Sequence, residues 1–270
     1  PASHQLREYE AVCARLKPVF HYFFLERWRQ ASAWWERRLA YGRSLATSSM
    51  VGFVMGLGDR HSSNILVDQS SAELVHIDLG VAFDMGLMLR TPERVPFRLT
   101  RDLVDGLGVT GVQGAMHSSA EEVMRVLRVH SDALLSVLQV FAHNPLYQWS
   151  LDRKRFQKRG RIQGARGARG HLDGWDEVGQ DQGAKCQDGR RPSHGLADKV
   201  AANGSRAEQA LADALLEADR AMLRVQLKLD GRLQGRDERL GVHGQVHQLI
   251  EQAADPANLC RMYEGWAAWL

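Results

Sequence analysis

Two carboxylates and an amide are spaced for phosphoryl transfer in Gly56-Leu57-Gly58-Asp59-Arg60-His61-Ser62-Ser63-Asn64 and the nearby Val75-His76-Ile77-Asp78-Leu79-Gly80. That reaction asks little covalent work of a protein and much positioning and charge neutralisation. One carboxylate must accept or orient the acceptor's proton. An amide five residues on and a second carboxylate must hold Mg²⁺, a hard ion that prefers oxygen ligands. Asp59, Asn64 and Asp78 supply these groups. Either half alone has a bland reading, because Asp-x-x-x-x-Asn recurs by chance in loops and Ile-Asp-Leu-Gly fits any strand end. The joint pattern is far more demanding.

The elements that must position these groups are legible around them. Ile65-Leu66-Val67 and Leu74-Val75-His76-Ile77 are apolar and β-branched and flank a turn-rich 68–73, which predicts a hairpin that brings Asn64 and Asp78 together. Before it, good helix formers over 33–55 end at Gly56 and predict a scaffold helix behind the loop. Residues 5–28 show helical spacing interrupted by Pro18, so two helices or one kinked helix fit. After it, 102–108 and 118–141 read as helices, the second with an apolar face of Val123, Leu127, Leu134, Leu138 and Phe141. Arg60 reads as an electrostatic brace beside Asp59, and His76 as a packed strand residue. Arg90 and Arg94 are offset on paper by Asp84 and Glu93, which leaves no strong basic patch for an acidic headgroup.

Composition narrows the class without naming a chemistry. The chain has 270 residues, 44% of them hydrophobic, enough for a substantial core. Its 35 basic and 32 acidic residues leave a formal charge of +3, too balanced for the whole chain to imply nucleic-acid binding. Cys13, Cys186 and Cys260 are scattered and support neither a disulfide framework nor a zinc site. No apolar run reaches membrane-spanning length and no signal-peptide pattern opens the chain, so a soluble intracellular protein is expected.

The order Asp59-Arg60-His61, with the His after the Asp, resembles the phosphatidylinositol-3-kinase-like superfamily. Residues 72–83 and Val95-Pro96-Phe97-Arg98-Leu99-Thr100-Arg101-Asp102 resemble its protein kinases of the ataxia-telangiectasia-mutated type. Similar stretches are Glu36–Tyr41, Ser44–Ser49, and Asn144-Pro145-Leu146 with Trp149. Gly244-Gln245-Val246, Asp255-Pro256, Asn258-Leu259 and Gly265-Trp266 with Trp269 resemble the FATC tail, which lipid kinases of the superfamily lack.

The resemblance implies a predominantly helical α+β fold, a protein-kinase-like C-lobe with a short catalytic-loop β-hairpin and a helical tail, the N-lobe being absent. It implies a C-lobe over 1–152, with the catalytic loop at 56–67 and the activation segment at 78–100, and a FATC tail over 238–270. Asp59 would be the base or orienting group, His61 would stabilise charge on the transferring phosphoryl group, and Asn64 and Asp78 would bind Mg²⁺, with Mn²⁺ as a substitute, and ATP. Pro96, Phe97 and Arg98 would lie near the peptide acceptor. Ser/Thr-Gln substrates, DNA-damage sensor partners and a nuclear location are implied in the same way. The chain opens with Pro1 and shows no recognisable nucleotide clamp upstream, so the fragment alone is expected to be nearly inert.

Residues 153–205 change character, with Gly and Arg repeated in Gln163–Gly170, and are expected to be a polar linker. A gene-model artefact and a weak nucleic-acid tract are the alternatives. Ser205 with Glu208 resembles a capping box before an amphipathic helix over 206–231 that stops at Gly231. Trp266 and Trp269 could touch a membrane or partner, but packing on the lobe is the simpler expectation. The tail is too short to bury a core alone. Two other functions remain open: a non-catalytic interaction module, and a phosphoinositide lipid kinase.

Overall fold

The computed structural model describes residues 2–142, 216–233 and 238–270. The Gly/Arg-rich stretch 153–205, the Ser205 cap, the start of the 206–231 helix and the Asn144–Trp149 motif lie outside the described residues. Residues 1–147 and 219–270 form one compact unit. The described part is predominantly helical, with one two-stranded sheet.

Helices α1 (Ala2–Arg15) and α2 (His21–Arg27) replace the kinked-or-paired alternative with two separate helices. Pro18 lacks an amide hydrogen and falls in the break. The exposed amides at the start of α2 are satisfied from another element: Val19 N donates to Asp102 Oδ1 (2.8 Å) and His21 N to Asp105 Oδ2 (2.8 Å).

Helix α3 (Ala31–Met55) is the scaffold predicted over 33–55. Its buried Tyr41, Leu45, Met50 and Phe53 form the centre of the unit. Tyr41 packs edge-on against Phe24 and sends its hydroxyl to Leu103 O (2.8 Å). The helix stops because Gly56 takes φ +59, so that Gly56 N reaches Phe53 O (3.0 Å) and Leu57 N reaches Gly52 O (2.8 Å).

The hairpin follows as predicted. Strands β1 (Ile65–Val67) and β2 (Leu74–His76) pair antiparallel, with Ile65 opposite His76 and Val67 opposite Leu74. Asp68 makes the turn by accepting from Ser70 N (2.7 Å) and Ser71 N (2.8 Å). Ser44 on α3 accepts the Leu74 amide at 3.0 Å, which docks the hairpin on the scaffold.

Beyond the irregular 78–100 stretch come α4 (Arg101–Gly106), α5 (Ala115–Val129) and α6 (Ser131–Ala142). The single helix predicted over 118–141 is therefore two. The break falls at His130 (φ −102, ψ 24), after β-branched Val129 and before Ser131-Asp132. Ser and Asp offer the backbone competing hydrogen bonds and so favour helix starts over interiors. A two-helix reading was available from that dipeptide.

A helix covers 216–229 (α7), and Gly231 ends it at φ +84, as expected. The C-terminal part folds into α8 (Val242–Ala254) and α9 (Pro256–Leu259). Asp255 caps α9 by accepting from Ala257 N (2.8 Å), with Pro256 at the first helical position. Among the described residues no helix is long and apolar enough to cross a membrane, and Cys13 and Cys260 are free thiols.

Candidate functional site

Backbone hydrogen bonds lace the 55–64 stretch to 77–84. Phe83 N donates to Met55 O (2.7 Å), Asp84 N to Gly56 O (2.9 Å), Gly58 N to Val81 O (2.8 Å) and Ile77 N to Asn64 O (3.0 Å). Both candidate carboxylates sit where the chain turns in left-handed conformation, Asp59 at φ 59 and Asp78 at φ 52. Asp tolerates this region better than most residues, and such backbone persists where surrounding contacts over-determine it.

Arg60 supplies part of that determination. Its buried guanidinium donates to Gly58 O (2.8 Å), to Ile77 O (2.8 Å) and to the Asp78 carbonyl, joining the two stretches through three carbonyls. Burial pulls its pKa down, and the carboxylates of Asp59, Glu93 and Asp78 act against that shift. Half-buried His76 is held near pKa 4, first by burial and then by Arg60, so it packs as a neutral imidazole.

Asn64 is buried and gives its Nδ2 to the Asp59 carbonyl (2.8 Å), a bond that leaves its Oδ1 unused. Asp78 is exposed, and its Oδ1 lies 3.4 Å from Gly80 N. Half-buried His61 opens the short 3₁₀ turn Ser62–Asn64 and accepts Ser63 N on Nδ1 (3.2 Å), a bond that does not engage Nε2. The geometry thus couples Asp59 and Asn64 by a direct bond, and sets Asp78 beside them through Ile77 and Arg60. The side chains of Asp59, Asn64 and Asp78 carry carboxylate and amide oxygens, the donor type that a hard divalent cation prefers.

On the sequence Glu93 is only, with Asp84, a charge offset to Arg90 and Arg94. The structure folds it under the loop, where Glu93 Oε1 accepts Asp59 N at 2.9 Å. Gly58 and Gly86 make room for it: a Cβ at Gly58 would stand 2.5 Å from Glu93 Oε2. These glycines admit a carboxylate rather than a phosphate. Burial lifts the Glu93 carboxyl to about 7.

Asp84 is likewise spent elsewhere. It pairs with Lys228 Nζ (2.6 Å) and lies 3.4 Å from Arg224 Nε on α7, while Lys228 also donates to Phe53 O (2.9 Å). The paper balance of Arg90 and Arg94 against Asp84 and Glu93 is therefore not a local one, and it no longer bears on the choice of substrate. Only a contact across some 144 positions of sequence could reveal the partner of Asp84.

Pro96 is half-buried, whereas Phe97 and Arg98 are inside. Arg98 donates to Trp266 O (2.5 Å) and Ala267 O (2.9 Å), and its guanidinium lies 4.4 Å over the Trp266 ring. Burial drops its pKa to about 10. Leu259, Met262, Trp266 and Ala268 form a small core with Val95 and Tyr9 packed on it, so Trp266 packs on the lobe as expected.

The family model described as phosphatidylinositol 3- and 4-kinase matches residues 2–151 of the 270, which include the whole of this site. The chain belongs to that family. A second model, the FATC domain, matches residues 239–270. The serine/threonine-protein kinase ATM of Arabidopsis thaliana is 44% identical over 269 residues, covering 100% of this chain and 6% of that protein. The serine-protein kinase ATM of Sus scrofa is 41% identical over 96% of this chain and 8% of its own length. Among solved structures, the FAT and kinase domain of CtTel1 superposes with a TM-score of 0.74 at 34% identity, covering 100% of this chain and 15% of that one. The chain thus spans less than a tenth of the length of these curated relatives.

Proposed function

We propose that this chain carries the acceptor- and metal-binding part of an ATP-dependent serine/threonine protein kinase of the DNA-damage-response type. The observation that carries the reading is the ledge on which Asp59 and Asn64 are hydrogen-bonded to each other and laced to Asp78. Whole relatives named ATM and Tel1 support the kind of kinase. The FATC match favours a protein kinase over a lipid kinase, given the resemblance drawn from the sequence.

On this reading Asp59 accepts or orients the proton of a Ser or Thr hydroxyl as that oxygen takes up the phosphoryl group. Asn64 Oδ1 and the Asp78 carboxylate hold Mg²⁺, or Mn²⁺ in its place. When bound, the cation neutralises charge on the phosphates of ATP. His61 offers Nε2 to charge on the transferring group. Arg60 positions both acidic turns without touching substrate. Pro96 borders the acceptor, while Phe97 and Arg98 shape that border from inside. The working division is a C-lobe over 1–152, with catalytic loop 56–67 and activation segment 78–100, a linker at 153–205, a helix within 206–231 and a FATC tail at 238–270. Action on Ser/Thr-Gln sites in the nucleus is what the family resemblance of the sequence implies.

The test uses the full-length kinase with a Ser-Gln peptide and, in parallel, phosphoinositide vesicles. Asp59→Ala should slow peptide phosphorylation roughly 10²–10⁴-fold, and Asp78→Asn should do so in a way that excess Mn²⁺ partly relieves. Undiminished transfer by both variants, or transfer to lipid rather than peptide, would overturn the proposal.

A further inference from the structure

The kinase-family stretch and the FATC stretch meet where α5 packs on α8, and that junction is set by buried polar bonds. Gln245 on α8 is fully buried; it accepts from Arg128 Nη2 on α5 (2.6 Å) and donates to Lys228 O on α7 (2.8 Å). These bonds tie α8 to both α5 and α7.

On the same junction the two helices present imidazoles toward each other. His117 and Glu121 stand four apart on α5, and His243 and His247 four apart on α8, so each pair shares one face of its helix. Glu121 Oε1 lies 3.3 Å from His117 Nδ1 and 2.5 Å from His243 Nδ1. One ligand atom each from His117, Glu121 and His243 falls within 4.8 Å of the others. Tetrahedral Zn²⁺, with bonds of about 2.0–2.1 Å, holds its donors roughly 3.3 Å apart, so small side-chain rotations close the difference. Two imidazoles on one such ion have ring centres about 5 Å apart. The His117 and His243 rings are 5.5 Å apart, and His247 is 6.3 Å from His243 and 6.5 Å from His117.

We propose that His117, Glu121 and His243, with His247 turning from Glu251 (Nε2 to Oε1 3.3 Å) to become the fourth donor, form a Zn²⁺ site that clasps the FATC helix α8 to α5. The donor chemistry favours a borderline-soft ion over Mg²⁺ or Ca²⁺, since three of the four ligands are imidazoles. Two ligands at i,i+4 on one helix face are a known way to seat Zn²⁺, and side chains on facing helices build metal sites in bundles. The ion binds the folded chain and not the dispersed one, so it adds stability by mass action. The clasp is separate from Asp59, Asn64 and Asp78, and it stands whether or not those residues transfer phosphate.

The test strips the 270-residue chain with a chelator, titrates Zn²⁺ against a competing dye and follows thermal unfolding. One ion per chain and a rise in Tm are expected. His243→Ala with His247→Ala should weaken Zn²⁺ binding at least about tenfold and abolish the Tm response. These two side chains are 79% and 48% exposed, so the metal-free variant should unfold where the metal-free parent does. His130→Ala should change nothing. A zinc-edge absorption spectrum of the parent should show a nitrogen/oxygen shell with imidazole scattering. Unaltered Zn²⁺ binding by the double variant, a sulfur-containing shell, or no uptake at equimolar Zn²⁺ would each overturn the site.

Discussion

The 56–84 stretch and the 242–268 stretch belong to one compact unit and are held by opposite means. The first has little regular structure beyond a short hairpin. Five of its non-glycine residues after the scaffold helix, Asp59, Ala72, Asp78, Phe83 and Asp84, take positive φ. It is kept in shape by backbone bonds and by the Arg60 guanidinium, while Asp78 remains exposed. The second stretch is mostly helical and turns Val246, Leu249, Ile250 and Trp266 inward. What the contrast teaches is a division of labour. In the acidic loop the shape comes from backbone bonds, the Arg60 guanidinium and the Asn64 amide, and the Asp78 carboxylate stays exposed. In the tail nearly every inward side chain contributes to stability.

The largest expected effect tests the tail. Trp266→Ala removes a buried indole and the stacking partner of Arg98, and should cost about 3–5 kcal/mol in urea unfolding. A loss below about 1 kcal/mol would mean that Trp266 does not anchor the tail.

Next comes the ion pair that ties α7 beneath the loop. Asp84→Asn keeps a residue that accepts left-handed backbone but leaves Lys228 buried without its carboxylate, and should cost about 3 kcal/mol. Lys228→Met, which removes the buried charge as well, should cost clearly less. Equal losses would show that packing, not charge, is what matters there.

Smaller and pH-dependent is the effect of the carboxyl under the loop. Glu93 has its pKa raised from 4.5 to about 7, so between those values the folded chain binds more protons than the unfolded one, and stability falls as pH rises. His76 is lowered from 6.5 to about 4, so between those values the unfolded chain binds more protons, and stability falls as pH drops. The two opposing slopes overlap. Glu93→Gln should raise stability at pH 8 by on the order of 2 kcal/mol, do little at pH 4, and leave the His76 slope uncovered. Parallel unfolding curves for variant and parent across that range would contradict the burial of Glu93.

The smallest expected effect is the sharpest for the comparison. Asp78→Asn should shift stability by less than about 0.5 kcal/mol, because the side chain is exposed and Asn accepts φ 52 as readily. A large destabilisation would mean that the acidic loop depends on its own carboxylate for its shape.

Most elements could be read from the residues alone. Pro18 marks the α1–α2 break, Gly56 the end of α3, the 65–67 and 74–76 runs the hairpin, and Asp255-Pro256 the start of α9. These are local effects of φ, missing donors and side-chain caps, and they act within a few positions. The split at His130 was legible too, in Ser131-Asp132, but the apolar stripe running through it masked the signal.

By itself the sequence determined which groups are available: Asp59, Asn64 and Asp78 at a spacing that one hairpin can bring together, and a tail with helical periodicity. Only the tertiary structure decided where Glu93, Asp84 and Arg98 go, and that His117 and Glu121 meet His243. Asp84 and Arg98 are polar side chains whose burial is tolerable only with a partner, and the partners come from distant parts of the chain: Lys228 for Asp84, the Trp266 and Ala267 carbonyls for Arg98. Charge and residue type show that such a group needs a partner, but which one it finds depends on how the helices pack.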